Sequence, residues 1–260
     1  MHVKSEKLQA FSQLLDIMDD LRAQCPWDKK QTLESLRPLT LEEVYELSDA
    51  ILQKEMSEIK KEIGDVLLHL VFYSKIAAEK GEFDIADVIN SLNEKLIFRH
   101  PHIYGDTKVS SEEEVKQNWE KLKLKEGNAS VLSGVGKSGP SIVKAHRIQE
   151  KVKGVGFEFP SSKEAWEKVR EELVEFEKET DPELKEKELG DVLFSIINYA
   201  RMSGLNADTA LEKSNQKFVS RFKKMEILAK EEGLEFSELG EDKMHELWEK
   251  AKGFEIGKKA

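Results

Sequence analysis

The chain has 260 residues, a net charge of −10 and a single cysteine, Cys25. One cysteine excludes an intrachain disulfide and a thiolate metal cluster and suits a reducing cytoplasm. An acidic chain also argues against general nucleic-acid binding, which rests on Lys and Arg meeting phosphates, and no run is long and apolar enough to span a bilayer. The opening MHVKSEKLQAFSQLL lacks the apolar core and small-residue cleavage site of a signal peptide.

Apolar residues recur at helical spacing along almost the whole chain, beginning with Leu8, Phe11, Leu14, Leu15, Met18 and Leu21, and no strand-like alternation persists. The spacing predicts helices near 4–23, 41–54, 58–80, 85–99 and 112–125, with Thr40, Ser57, Asp84 and Ser111 as N-caps. Next comes KEGNASVLSGVGKSGPS (125–141), the one dense cluster of Gly and Ser, which reads as a linker. It contains GVGKS, yet a phosphate loop needs glycine where Val131 stands, a strand before it and a helix start after it. Pro140 and the all-helical surroundings supply neither. Further helices are predicted near 162–180, 182–203, 207–232 and 241–252, started by Asp181-Pro182 and Asn206 and stopped by Gly204 and Gly233.

The two halves repeat one device. LEEVYEL (41–47) followed by KEIGDVLLHLVFY (61–73) returns as REELVEF (170–176) followed by KELGDVLFSIINY (187–199). Glu43 and Glu46 thus recur as Glu172 and Glu175, and Glu62 and Asp65 as Glu188 and Asp191, with a connection three residues shorter in the second copy. Farther on, Asn93, Lys95 and Arg99 match Asn215, Lys217 and Arg221, and Trp119 matches Trp248. A period of half the chain is too long for a solenoid and indicates duplication of a whole domain. The expected architecture is all-α: two tandem helical-bundle domains, 1–125 and 146–260, joined by a linker at 126–145.

Residues three apart share a helix face. Two adjacent helices carrying Glu-x-x-Glu and Glu-x-x-Asp therefore gather four negative charges, which is unfavourable without a cation. Oxygen ligands with no Cys and no paired His favour Mg²⁺ or Mn²⁺ over zinc, and Mg²⁺ commonly takes substrate phosphates as remaining ligands. The chemistry pointed to is that of phosphate esters or anhydrides. A capping box from Thr40 would account for Glu43 alone, because Val169 stands at the matching place before Glu172. Glu171 and Glu42 also correspond, and the repeat leaves open whether each binds metal indirectly or orients water. Lys168, one turn before Glu172, is either a salt-bridge partner or a phosphate ligand. Gly64 and Gly190 sit inside predicted helices, where Gly costs about 1 kcal/mol relative to Ala, so a close backbone approach is expected there. His69, His100 and His102 face Ser195, Phe222 and Lys224 in the other copy, which gives no support to zinc or a histidine base.

CPWDKKQT (25–32), LEEVYE (41–46), EIGDVL (62–67), RHPHIYGD (99–106), VGFEF (155–159), EELVE (171–175) and ELGDVLF (188–194) resemble the signatures of the MazG nucleoside triphosphate pyrophosphohydrolases, of the all-α NTP pyrophosphatase superfamily. Leu33 departs from the His that often follows QT in that family. The resemblance implies hydrolysis of nucleoside and deoxynucleoside triphosphates to the monophosphate and pyrophosphate, a nucleotide-pool housekeeping role, Mg²⁺ held by the eight carboxylates and a homodimer. It also implies Lys217 and Arg221 as phosphate ligands, with Lys95 and Arg99 as their counterparts, and Trp248 as a base or ribose contact, with Trp119 as its counterpart. The alternatives are a narrower enzyme, acting on phosphoribosyl-ATP or one deoxynucleotide, and a non-catalytic helical scaffold with solvated acidic faces. Both copies keep all four acids, and Lys168 makes the second the expected active site.

Overall fold

A computed structural model describes residues 2–111, 114–115, 118–119, 122, 130–136 and 139–256. Helices joined by turns and irregular segments make up the described residues, with no strand among them, and none of the described helices is long and apolar enough to cross a membrane. The chain divides into two compact units, Met1–Lys108 and Val109–Ala260.

In the first unit, α1 (Lys4–Gln24) is followed by a short 3-10 turn (Asp28–Lys30), α2 (Leu33–Gln53), α3 (Met56–Glu79), α4 (Ile85–Arg99) and the single turn α5 (Pro101–Tyr104). Its core is built on Met18, Leu36, Val71, Phe72 and Ile76, flanked by Phe11, Leu14 and Leu15. Fully burying side chains of this kind contributes roughly 1.5–3 kcal/mol each. Arg22 ties α1 to α3 by pairing with Glu79, and it also donates to the carbonyls of Asp28 and Gln31.

The start of α2 differs from the sequence expectation. The helix begins at Leu33, capped by Thr32, whose hydroxyl accepts from Ser35 N at 3.1 Å, and it runs through Pro38. Pro38 is the sixth residue of the helix and removes the bond its N–H would give the Glu34 carbonyl, yet the helix is continuous across it, so the break placed after Pro38 does not occur. Thr40 is therefore mid-helix, donating to the Leu36 carbonyl at 3.0 Å, and does not act as a cap. Likewise α3 starts after Glu55, ahead of Ser57, and the Glu55 side chain makes no capping bond. Asp84, Asp181 and Asn206 do cap their helices, and Gly204 and Gly233, at φ 71° and 72°, end theirs.

The second unit contains α6 (Ser141–Lys153), α7 (Ser162–Lys178), α8 (Pro182–Met202), α9 (Ala207–Glu231), a 3-10 turn (Phe236–Glu238) and α10 (Glu241–Ile256). Met225, Leu228, Ala229, Leu247 and Ala251 close α9 against α10, with Trp248 packed beside them. The predicted helix near 112–125 lies mostly outside the described residues, although Ser111 Oγ accepts from Glu114 N at 3.2 Å as a cap does.

The unit division falls ahead of the expected boundary at 125, and the expected linker ends early because α6 already begins at Ser141. Part of that segment is anchored: buried Lys151 of α6 donates to the carbonyls of Val131 and Ser133 at 3.1 and 2.9 Å. The Gly/Ser composition that suggested a linker thus belongs in part to a strap held by the second unit.

Candidate metal centres

The most extensive helix pairings are α7 with α8 and α2 with α3. Each pairing faces the two acidic motifs toward one another. One oxygen each from Glu43 of α2 and Glu62 and Asp65 of α3 lies within 4.8 Å of the others, and Glu172 of α7 with Glu188 and Asp191 of α8 repeats the arrangement. The fourth acid of each motif, Glu46 or Glu175, is exposed and stands outside the trio.

Their charge is still felt. Desolvation and the neighbouring Asp65, Glu46, Glu62 and Glu42 raise the Glu43 pKa above the usual carboxylate range. Glu188 is raised by desolvation and then by Glu175, Asp191, Glu172 and Glu179. Carboxylates this crowded are destabilised as anions, and a divalent cation removes the cost. Glu62 adds a sign of the same kind, since it is buried and its Oε2 has no hydrogen-bond partner. The donor set of hard oxygens fits Mg²⁺ or Mn²⁺.

The two trios differ in their nearest cation. In the first copy Lys61 Nζ meets Glu62 Oε1 at 2.9 Å. In the second, Lys168 Nζ is 2.8 Å from both Glu171 Oε1 and Glu172 Oε1. Lys61 was not singled out in the sequence, although its recurrence as Lys187 was a visible signal. Also unanticipated is a bonded group in the first unit: Thr40 Oγ1 lies 2.9 Å from Nδ1 of buried His69 and 2.6 Å from the Tyr73 hydroxyl. Burial lowers the His69 pKa, opposed by the charge of Asp65.

The expected close approach at the mid-helix glycines is not made by the chain itself: a Cβ at Gly64 or Gly190 would meet nothing within 4 Å. Arg221 lies over the Trp248 ring at 5.7 Å, and Trp248 packs on Phe218. Lys95 is exposed and Arg99 half-buried, both on α4, and Trp119 is half-buried. Beside the second trio opens a cavity of about 520 Å³, whose lining includes Lys168, Glu172 and Asp191.

Comparison with known proteins bears directly on this duplicated geometry. The model of the MazG nucleotide pyrophosphohydrolase domain matches residues 31–104 and again 162–225, each match containing one complete set of four acids. The chain belongs to the MazG nucleotide pyrophosphohydrolase family, and so to the hydrolases. It is 46% identical to the nucleoside triphosphate pyrophosphohydrolase/pyrophosphatase MazG of Thermotoga maritima, over 94% of this chain and 96% of that one. To the nucleoside triphosphate pyrophosphohydrolase of Escherichia coli K12 it is 36% identical, over 96% and 99% respectively. A crystal structure of a mazG-related protein from Thermotoga maritima aligns with 44% of this chain and 98% of its own at 26% identity, with a TM-score of 0.40. The tandem all-α organisation expected from the sequence is thereby established for this MazG-family chain.

Proposed function

We propose that the protein hydrolyses nucleoside and deoxynucleoside triphosphates between the α and β phosphates, in the cytoplasm and with Mg²⁺ (or Mn²⁺) as cofactor. The observation that carries this reading is the carboxylate trio, formed twice and with an acid in each copy held above its ordinary pKa. Names given to the relatives support the substrate class.

Glu172, Glu175, Glu188 and Asp191 would hold the ion in the second copy, and Glu43, Glu46, Glu62 and Asp65 in the first. When bound, the ion neutralises the triphosphate and lowers the pKa of water. Glu171, adjacent to the trio and tethered by Lys168, orients the attacking water and takes its proton. The water oxygen bonds to the α-phosphorus, the bond to the bridging oxygen breaks, and pyrophosphate leaves with the electron pair. Lys168 exchanges its carboxylate partners for a phosphate oxygen as the substrate arrives.

A homodimer is part of the proposal. Val44 and Leu173, Ile63 and Leu189, Leu67 and Leu193, and Leu70 and Ile196 occupy matching places in the two copies and are all exposed. Recurring apolar stripes of this kind mark an interface, and open space at Gly64 and Gly190 lets a second chain approach. Lys217 and Arg221, with Trp248 as a ribose contact, would then reach the trio of the other copy, and Lys95, Arg99 and Trp119 are their counterparts in the first repeat.

The test is pyrophosphate release from a panel of eight nucleotides with and without Mg²⁺, in wild type and Glu175→Gln. Mg²⁺-dependent release that collapses in the variant is the expected result. Absence of release from every nucleotide would overturn the enzymatic reading in favour of a scaffold.

A further inference from the structure

The α9–α10 hairpin carries charges that neither helix would favour alone. Glu232 stands at the C-terminal end of α9, and Lys243 stands in the first turn of α10. The helix dipole favours a cation at the first place and an anion at the second, so each charge weakens its own helix. Both penalties are offset when the helices meet: Glu232 pairs with Lys243 at 2.7 Å and with Lys250 at 2.8 Å. Glu246, midway between the two lysines, pairs with Lys243 at 3.0 Å and with Lys250 at 2.8 Å. Bonds from Lys243 and then Lys250 hold the Glu232 carboxyl down at about 2, so it stays ionised far below neutral pH.

Apolar packing alone does not set how far α10 lies along α9. The α10 seam of Met244, Leu247, Trp248 and Ala251 recurs once per turn. So does the α9 seam of Phe218, Phe222, Met225 and Ala229. Sliding one helix by a turn, about 5.4 Å, sets apolar side chains against apolar side chains again, and burial has no direction. The charges do not repeat in this way. A slip of one turn in either direction moves Glu246 into the place of Lys243 or of Lys250 and sets it against Glu232. Charges that pair in one register and repel in its neighbours are a means of fixing register.

The register decides what surrounds Arg221. Its guanidinium lies over the Trp248 ring at 5.7 Å, and Trp248 in turn packs on Phe218 with ring centroids 5.2 Å apart. The adjacent Glu249 carboxyl is held below its ordinary pKa by Lys252 first, and also by the charges of His245 and Arg221. The most extensive packing of α10 is on α9.

We infer that Glu232 is a positioning residue: by pairing with Lys243 and Lys250 it fixes the register of α10 on α9, and through it the placement of Trp248 and Glu249 about Arg221. The register follows from the hairpin itself. Its effect on nucleotide affinity rests on the proposed reading of Arg221 and Trp248 as substrate contacts.

Charge inversion tests both parts. Glu232→Lys should break the register, and the fourfold variant Glu232→Lys, Lys243→Glu, Glu246→Lys, Lys250→Glu, which rebuilds the pattern with its signs exchanged, should restore it. Trp248 emission reads the register in a protein whose other tryptophans, Trp27, Trp119 and Trp166, are replaced by Phe. At low ionic strength, where exposed charges are least screened, Glu232→Lys should shift the emission to the red and increase quenching by acrylamide. The fourfold variant should return both to wild type. In pyrophosphate release from ATP, with all tryptophans in place, Glu232→Lys should raise KM about fivefold, the upper worth of an exposed ion pair. Its kcat should be unchanged, and the fourfold variant should recover the wild-type KM. Unchanged Trp248 emission in Glu232→Lys overturns the inference, as does a fourfold variant no closer to wild type than the single one. A shifted emission with an unchanged KM keeps the register and overturns the role of Trp248 in binding nucleotide. A wild type that hydrolyses nothing overturns the proposed function, and the emission alone then decides the register.

Discussion

The two repeats share their carboxylates and differ in what lies behind them. In the first, the helix bearing Glu62 and Asp65 continues into buried His69 and Phe72, the latter 2% exposed in the core. In the second, the corresponding residues after Glu188 and Asp191 are Ser195 and Asn198, and both line the cavity. The cations differ too: Lys168 reaches the second trio, and its first-repeat counterpart, Leu39, packs against the core. Duplication has therefore kept the charge device in both copies and left room for a large ligand beside the second. Gathering the carboxylates and opening a cavity beside them are separable properties of this fold.

The sharpest way to break that comparison is to neutralise one acid in each copy. Glu188→Gln should lower pyrophosphate release by about 100-fold or more, since even supporting groups around metals commonly contribute 10–100-fold, and Glu62→Gln should lower it less than about tenfold. Equal losses in a steady-state assay would show two equivalent sites. Phe72→Asn, which gives the first repeat the residue of the second, should destabilise the protein by about 3–5 kcal/mol, as removal of a buried aromatic ring does; chemical denaturation measures it. A small effect would mean that the first core is not filled as described.

The raised acids give a pH test. Glu43 and Glu188 have folded pKa values above their unfolded ones, so their stabilising contribution is complete below the unfolded pKa and is lost as pH rises through the folded pKa. The metal-free protein should therefore melt lower as pH rises above about 4.5 on account of these groups, and added Mg²⁺ should raise the melting temperature more at pH 7.5 than at pH 5. Differential scanning calorimetry at the two pH values decides it. The smallest effect expected is at the cations: Lys168→Met should reduce kcat/KM by about tenfold, the worth of one charge-assisted hydrogen bond, and Lys61→Met should change it less than Lys168→Met does.

Much of this was legible in the residues. The duplicated acid spacing located both trios, and caps such as Asp84, Asp181 and Asn206 located helix starts, because these signals are local. The entry of α2 at Thr32 was hidden by Pro38, because a proline at an interior position usually ends a helix and this helix runs through it. Helix α6 escaped notice because it follows Pro140 and a Gly/Ser-rich stretch that reads as a linker. The cavity had no sequence signature, since it depends on Gln149, Glu158 and Arg201 converging from α6, the loop after it and α8. Composition around Gly64 suggested a close backbone contact, whereas a Cβ there would meet nothing within 4 Å among the described residues.

The bonded group around Thr40 fixes where a proton resides. If its one hydrogen goes to the Leu36 carbonyl, both of its other neighbours donate to it. Tyr73 then points its hydrogen at Thr40, and His69 carries its own on Nδ1. The imidazole is thereby locked in a single tautomer with the lone pair on Nε2, a state that nitrogen chemical shifts report directly and that Thr40→Val would release.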